Sequence, residues 1–161
     1  MHSVLFVCTA NICRSPMAMG LLRARIKSET DEWRIDSTGV WAQRGVPAAQ
    51  LTLEVLKARG INLDKYASKP LTAEMVQDFN LILTMEGNQR EALHFAFPLY
   101  VGKIFMLSQM VGKKNDIVDP IGGRLSEFED TAQKIEHILD KGFARIRKLA
   151  AGGKTASLSQ S

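Results

Sequence analysis

Short apolar runs alternate with amphipathic stretches along most of this chain. Runs at residues 3–8, 33–37, 80–85 and 103–107 are rich in β-branched, leucine, methionine or aromatic side chains, which predicts four short buried strands. Apolar side chains at helical spacing follow the first three runs. Because strands and helices alternate, the pattern predicts a parallel sheet covered by helices.

Proline and glycine mark the ends of the predicted helices. Pro16 and Pro47 each suit the first turn of a helix, because the N–H that proline lacks would have no partner there. Gly60 stands where a glycine commonly ends a helix. We therefore expect helices after Pro16, from Pro47 to about Gly60, and over residues 88–97.

The last third of the chain carries a long helical pattern. Ser126 and Glu129 have the spacing of a capping box, which predicts the start of a helix. One apolar stripe then runs from Phe128 to Ile146, with acidic residues near its start and basic residues near its end. These features predict one continuous final helix.

Chain length and element order together predict a single domain. The length of 161 residues fits one domain of ordinary size. We predict an α/β fold with three layers over residues 1–150, in which helices cover both faces of a parallel four-stranded sheet. Residues 151–161 are small and polar, which predicts a mobile tail. Sites in such folds lie at the carboxyl ends of the strands.

Composition excludes several classes of function. The formal charge of +4 is a mild excess that suits an anionic substrate, but the basic residues form no stripe, so no nucleic-acid partner is expected. The longest apolar run is only four or five residues, and the chain leads straight into its first strand, so neither a membrane span nor a signal peptide is expected.

Cysteine and histidine usage bears on the compartment and on metal binding. The two cysteines are five positions apart and form no disulfide framework, which predicts a reducing cytoplasm. The histidines, His2, His94 and His137, stand singly without the spacing of metal ligands. We therefore expect no metal ion and no other cofactor.

The loop after the first predicted strand carries the main candidate chemistry. Cys8 is followed by five residues and then by Arg14 and Ser15, where the first helix begins. Backbone N–H groups of such a loop can converge on one tetrahedral anion, and the helix N-terminus supports them. The guanidinium of Arg14 adds a permanent charge, and this field favours the reactive thiolate form of Cys8. The expected phosphate-binding residues are Thr9, Ala10, Asn11, Ile12, Cys13 and Arg14.

Two other interpretations of this loop are disfavoured. Cys8 alone could end a buried strand as a small hydrophobic residue, but its spacing to Arg14 favours phosphate chemistry. A Walker loop for nucleotides needs glycines and a lysine, and this segment has neither.

The segment VLFVCTANICRSPMA resembles the signature of the low-molecular-weight protein tyrosine phosphatases nearly residue for residue. The resemblance continues through DSTG at 36–39, GIN at 60–62 and NLILTM at 80–85, and closes on Asp119 and Pro120. It covers about residues 2–150. The resemblance implies a cysteine-dependent phosphatase that acts on phosphorylated proteins, and it leaves the oligomeric state open.

The resemblance implies a role for each of three catalytic side chains. The cysteine matching Cys8 attacks phosphorus and forms a phosphocysteine, and the arginine matching Arg14 binds the phosphate. The aspartate matching Asp119 protonates the leaving oxygen and then activates the water that hydrolyses the intermediate. Asp-Pro is also a common turn dipeptide, so only its pairing with the Cys8 loop makes Asp119 the general acid.

Supporting residues follow from the same resemblance. The hydroxyl matching Ser15 hydrogen-bonds the sulfur, and the asparagine matching Asn11 props the loop, with the serine matching Ser37 among its partners. The family often has a histidine in the segment after the second helix, where this chain has Lys65 and Tyr66. Whether this chain makes the supporting hydrogen bond of that histidine is therefore an open question at this point.

Residues around the loop bear on the substrate. Trp41 either lines a cleft for an aromatic phosphate ester or packs in the core. Ile121 stands where the family often has an aromatic residue that stacks on the substrate. The following Gly122-Gly123 is similar to bacterial members that include protein arginine phosphatases, which favour threonine where this chain has Ile12. Ile12 is the tyrosine phosphatase form, so phosphotyrosine is the expected substrate and phosphoarginine the alternative.

Two further activities are weighed on this scaffold. Arsenate reduction needs cysteines near residues 80–90, and the chain has none after Cys13, which excludes it. A phosphate-binding module without catalysis is the alternative to an enzyme, and turnover of para-nitrophenyl phosphate separates the two.

Overall fold

The computed structural model describes residues 1–153, and a four-stranded parallel sheet lies at its centre. The strands are β1 (His2–Cys8), β2 (Trp33–Gly39), β3 (Leu81–Thr84) and β4 (Ile104–Met106), in the order β2-β1-β3-β4. Val7 of β1 pairs with Thr38 of β2 and with Thr84 of β3. The carboxyl ends of these three strands therefore meet at one edge of the sheet, beside Cys8.

Helices lie on both faces of the sheet. The α-helices are α1 (Arg14–Arg25), α2 (Gln50–Lys57), α3 (Ala73–Asp78), α4 (Gly87–Ala96), α5 (Leu125–Lys141) and α6 (Phe143–Ala150). Short 3-10 helices lie at Lys27–Glu32, Pro98–Lys103 and Leu107–Val111.

Two apolar clusters, one on each face, form the core. Val4 and Phe6 of β1 pack with side chains of α1, α2, α5 and α6, whereas Leu5 and Val7 pack with side chains of α3 and α4. Because β1 is covered on both faces, its sequence is an apolar run rather than an alternating pattern. The predicted three-layer α/β fold is confirmed.

The prediction of one continuous final helix is wrong. The helix is divided at Gly142, whose N–H donates to the Ile138 carbonyl at 2.8 Å. A Cβ at Gly142 would lie 2.9 Å from that carbonyl oxygen and equally close to the backbone oxygen of Met110, so a larger residue has no space. The capping box is also wrong, because α5 begins at Leu125 and Ser126 lies inside its first turn.

The start of α2 also differs from the prediction. It begins at Gln50, three residues after Pro47, because the Ala49 N–H donates to the Ile12 carbonyl at 2.8 Å and keeps the preceding segment extended. Gly60 has a φ of +75°, which confirms its helix-ending conformation. The short helix α3 was not predicted.

The end of the chain is described only in part. The Ala151 N–H donates to the Arg147 carbonyl and the Gly152 N–H to the Leu149 carbonyl, so these residues continue directly from α6. Residues 154–161, on which most of the tail prediction rests, lie outside the described residues. In residues 1–153, no helix combines the length and apolar character needed to cross a membrane.

Candidate active site

The loop between β1 and α1 forms the floor of a small cavity at the carboxyl edge of the sheet. Cys8 is the last residue of β1, and Arg14 is the first residue of α1. The cavity has a volume of about 70 Å³ and is lined by Cys8, Ala10, Asn11, Ile12, Cys13, Arg14, Asp119 and Ile121. The structure therefore brings together residues that are more than a hundred positions apart in sequence.

The side-chain amide of Asn11 holds the loop through hydrogen bonds to three neighbouring residues. Its Oδ1 accepts a hydrogen bond from the Lys69 N–H at 3.0 Å, which determines how the amide is oriented. Both hydrogens of Nδ2 are then directed to hydroxyls, at 2.8 Å to Ser15 Oγ and 3.0 Å to Ser37 Oγ. Asn11 itself has a φ of +62°, a left-handed conformation that asparagine tolerates better than most residues.

Ser15 is positioned to donate a hydrogen bond to the sulfur of Cys8. Its Oγ lies 2.9 Å from Cys8 Sγ and 3.4 Å from the Thr38 carbonyl oxygen. Because Ser15 already accepts from Asn11, its own hydrogen is free for the nearer of these two acceptors. A donor directed at the sulfur favours the thiolate over the thiol.

Tyr66 supports the loop, a contact that the sequence analysis left open. Its hydroxyl donates to the Asn11 carbonyl at 3.0 Å and lies 2.9 Å from Ser37 Oγ. The carbonyl can only accept, so the Tyr66 hydrogen goes to Asn11 and Ser37 donates to Tyr66. Burial raises the pKa of Tyr66 well above its usual value, so the phenol stays neutral.

Gly39 lets the end of β2 approach the loop closely. A Cβ at this position would lie 2.4 Å from the Thr9 carbonyl oxygen and 3.0 Å from the Asn11 Cβ. The Trp41 N–H donates to the same Thr9 carbonyl at 2.9 Å, and Gln89 Nε2 donates to the Thr9 hydroxyl at 3.0 Å. Contacts from Trp41, which follows β2, and from Gln89 in α4 therefore hold the start of the loop.

Arg14 is buried, and part of its guanidinium is reserved for contacts within the protein. The residue is 1% exposed, and its Nη1 donates to Glu86 Oε1 and to the Ile117 carbonyl, each at 2.7 Å. Nη2 lies 3.5 Å from Asp119 Oδ2, and Nε is buried with no hydrogen-bond partner. A buried donor without a partner is costly, so Nε is an available donor for an anion in the cavity.

The segment before Asp119 is tied to the end of β3. The Ile117 N–H donates to the Met85 carbonyl at 2.8 Å, and Asp116 Oδ1 accepts from the Gly87 N–H at 2.8 Å. Together with the Arg14 bond to Ile117, these contacts fix the backbone two residues before Asp119. These hydrogen bonds therefore bring Asp119 close to the loop, although the two are far apart in the sequence.

A tight turn follows Asp119. Its Oδ1 accepts from the Ile121 N–H at 3.1 Å, and the Gly123 N–H donates to the Pro120 carbonyl at 2.8 Å. Gly122 has a φ of +81°, and a Cβ at Gly123 would lie 2.9 Å from the Pro120 oxygen. The turn therefore requires both glycines for backbone reasons.

The cavity is apolar on the side where a substrate would enter. Ile12 is partly buried and lines the cavity, as does Ile121, which is 55% exposed. Trp41 is 84% exposed and does not line it, although its backbone contacts the loop. The alternative that Trp41 packs in the core is excluded, and its role in a substrate cleft stays a prediction.

Cys13 is a second thiol in the cavity wall with a different environment from Cys8. It is buried, and burial together with the negative charges of Asp119 and Cys8 raises its pKa to about 12. At neutral pH it is therefore a protonated thiol. Within residues 1–153, no three His, Cys, Asp or Glu side chains are grouped in a way that would hold a metal ion.

Comparison with known proteins agrees with this geometry. A sequence model described as "Low molecular weight phosphotyrosine protein phosphatase" matches residues 3–151. A probable low molecular weight protein-tyrosine-phosphatase, EpsP, of Ralstonia nicotianae is 35% identical over 91% of this chain and 97% of its own length. A protein-arginine-phosphatase of Bacillus subtilis is 32% identical over 90% of this chain and 97% of its own length.

A solved structure matches the whole fold. It is a cysteine-to-serine mutant of the YwlE arginine phosphatase with a phosphorylated active site serine. Its TM-score is 0.85 and its sequence identity 30%, and the match covers 91% of this chain and 99% of that one.

Proposed function

Because the chain belongs to the low molecular weight phosphotyrosine protein phosphatase family, we propose that it hydrolyses phosphotyrosine in proteins through a phosphocysteine at Cys8. One observation carries this proposal. Cys8, Arg14 and Asp119 line the same cavity of about 70 Å³. A nucleophile, an anion-binding group and a proton donor are thus available to one phosphoryl group.

The phosphate is held by backbone and guanidinium donors. Of the predicted phosphate-binding residues, Thr9 does not line the cavity. The other five do line it, and their backbone N–H groups are the proposed donors, supported by the N-terminus of α1 at Arg14. Arg14 offers Nε and Nη2, because Nη1 is occupied by Glu86 and Ile117. These donors also stabilise the negative charge that develops in the transition state.

In the first step, the Cys8 thiolate attacks phosphorus. An S–P bond forms, the bond from phosphorus to the tyrosyl oxygen breaks, and protonated Asp119 gives its proton to that oxygen. Tyrosine leaves, and a phosphocysteine remains on Cys8. The phosphorylated active site serine of the YwlE mutant supports a covalent intermediate at the corresponding place in that protein.

In the second step, water releases the phosphate. Asp119, now a carboxylate, takes a proton from a water molecule, whose oxygen attacks phosphorus while the S–P bond breaks. The Ser15 hydroxyl, 2.9 Å from the sulfur, stabilises the departing thiolate. Asn11, Ser37 and Tyr66 keep that hydroxyl and the loop in place.

Phosphotyrosine is favoured over phosphoarginine by the apolar rim. Ile12 and Ile121 offer a phenyl ring a dry surface and offer a guanidinium no hydrogen-bond acceptor. The second candidate, an arginine phosphatase, is favoured by the Bacillus subtilis relative and by Gly122-Gly123. The turn after Asp119 needs both glycines whatever the substrate, so the glycines bear less on specificity than Ile12 does.

A reducing compartment suits this chemistry, and we propose the cytoplasm. Both cysteines are free and buried, and the mechanism needs Cys8 as a thiolate rather than in a disulfide. The proposed partner is a phosphorylated protein.

The proposal is tested by hydrolysis of matched phosphotyrosine and phosphoarginine peptides by the purified protein. We expect a higher kcat/KM for phosphotyrosine. A higher value for phosphoarginine would replace the proposed substrate, and tight phosphate binding without turnover of either peptide or of para-nitrophenyl phosphate would contradict the proposed chemistry.

A further inference from the structure

A second concavity, much wider than the catalytic cavity, lies between α5 and residues 108–117. Its volume is about 710 Å³, within the range typical of sites for small organic ligands. One side is the exposed face of α5, and the other is the segment that leads to Asp119. We refer to it as the α5 groove.

The floor of the α5 groove is apolar. Val111, Ile117 and Ile138 line it, and the last two are almost completely buried by the surrounding protein. Val111 is the most exposed of the three, so a ligand in the groove would remove apolar protein surface from water mainly at Val111.

The rim of the groove is cationic. Lys113, Lys134 and Lys141 line it and, within residues 1–153, none of them is in an ion pair. Two carboxylates, Asp116 and Asp130, also line the groove, so the lysines exceed the carboxylates by one positive charge. Three ammonium groups above an apolar floor suit a ligand with an apolar body and an acidic group.

We propose that the α5 groove binds a small organic anion with an apolar body, such as an aromatic sulfonate or carboxylate, and that this binding is coupled to the catalytic cavity through Ile117. The Ile117 side chain lines the groove, while its carbonyl accepts from Arg14 at 2.7 Å and its N–H donates to Met85. A ligand that moves Ile117 therefore moves a partner of the phosphate-binding guanidinium.

Binding is tested with naphthalene-2-sulfonate by amide NMR on the full chain, with inorganic phosphate in excess so that the catalytic cavity is filled. We expect saturable chemical-shift changes at Asp116, Ile117 and the exposed face of α5. Changes confined to other apolar surfaces, such as the exposed Phe95 and Leu99, would overturn the proposal.

Charge-reversal variants test whether the rim takes part. In the double variant Lys134→Glu, Lys141→Glu we expect binding about tenfold weaker, the size typical of two reversed surface charges. The matched control is Lys27→Glu, Lys148→Glu, which makes the same charge change at exposed positions outside the groove. Equal affinity in the two double variants would contradict a site at this rim.

The coupling is tested by the affinity for inorganic phosphate with and without saturating naphthalene-2-sulfonate. We expect the dissociation constant of phosphate to change, and that of the sulfonate to change by the same factor when phosphate is added, because linkage is reciprocal. An unchanged phosphate affinity would overturn the coupling. This step rests on the proposed phosphate cavity, whereas sulfonate binding in the groove is measured without any catalytic turnover, so the two can fail separately.

Discussion

The hydroxyl of Tyr66 donates a hydrogen bond to the carbonyl of Asn11 at 3.0 Å, across 55 positions of sequence. In the described part of the chain, Asn11 is the one residue other than glycine with a positive φ. Its side-chain amide donates hydrogen bonds to the hydroxyls of Ser15 and Ser37. The hydrogen bond therefore stabilises the conformation on which the alignment of Ser15 with the Cys8 sulfur depends.

Tyr66→Phe is expected to weaken both stability and turnover. The change leaves the Asn11 carbonyl and the Ser37 hydroxyl without their partner, at a cost of about 1–3 kcal/mol of unfolding free energy. Urea unfolding and kcat/KM for para-nitrophenyl phosphate measure the two effects. Tyr100→Phe is the matched control, and an equal loss in both variants would assign the effect to general packing.

Tyr66→His is expected to change the pH dependence of turnover. Burial raises the pKa of Tyr66, so its phenol stays neutral through the neutral range and on into alkaline solution. A histidine there would change charge between about pH 5 and 8. The pH profiles of kcat/KM for the two proteins should therefore differ in this window, and identical profiles would show that the side chain at 66 does not act on the loop.

Cys8→Ser is expected to abolish turnover and to leave phosphate binding largely intact. The backbone donors and Arg14 survive the change, but a serine hydroxyl is a much weaker nucleophile than a cysteine thiolate. Hydrolysis of an aryl phosphate and calorimetric binding of inorganic phosphate measure the two properties. Cys13→Ser is the control, and appreciable hydrolysis by the Cys8 variant would remove Cys8 as the nucleophile.

Asp119→Asn is expected to slow poor leaving groups most, by about 10²–10⁴-fold, the usual contribution of a general acid. Good leaving groups need no proton, so their rates should fall least. A series of aryl phosphates with graded leaving groups measures this, with Asp31→Asn at an exposed distant position as the control. Equal losses across the series would mean that another residue is the acid.

Ile12→Thr is expected to shift preference toward phosphoarginine by about 1–3 kcal/mol, the range for small changes in a substrate pocket. The change removes apolar contact and adds a hydroxyl acceptor at the cavity wall. The measurement is the ratio of kcat/KM for matched phosphotyrosine and phosphoarginine peptides, with Ile12→Val as the control. A ratio that stays constant would show that Ile12 does not determine the substrate.

Cys13 is expected to resist alkylation and to protect Cys8 from oxidation. Because its pKa is raised to about 12, Cys13 stays protonated below that pH, and iodoacetamide at pH 7–9 should label Cys8 alone.

If peroxide converts Cys8 to a sulfenic acid, the Cys13 thiol can condense with it to a disulfide and water. Activity after peroxide and then reductant should recover in the wild type and much less in Cys13→Ser; equal recovery would exclude protection.

The sequence predicted the parts of this protein that depend on neighbouring residues. The four strands, their helical connections and the loop from Cys8 to Ser15 were found because periodicity and short spacings act within one or two turns of chain. The same reasoning failed at Gly142, where the helix is divided although the apolar stripe continues, and where Met110 leaves no space for a side chain. Local patterns do not report such contacts between distant segments.

Only the tertiary structure decided how the catalytic loop is supported. Arg14 is bonded to Glu86 and to Ile117, which are 72 and 103 positions away, and Asn11 is bonded to Tyr66. Glu86 stands in no motif, and the resemblance marked the position of Tyr66 without showing what its side chain contacts. The sequence by itself therefore indicated the candidate reactive groups, because they lie in one short loop and one dipeptide. Packing determined which groups hold them in place, because β3, the segment that follows it and the residues after α2 all lie against that loop.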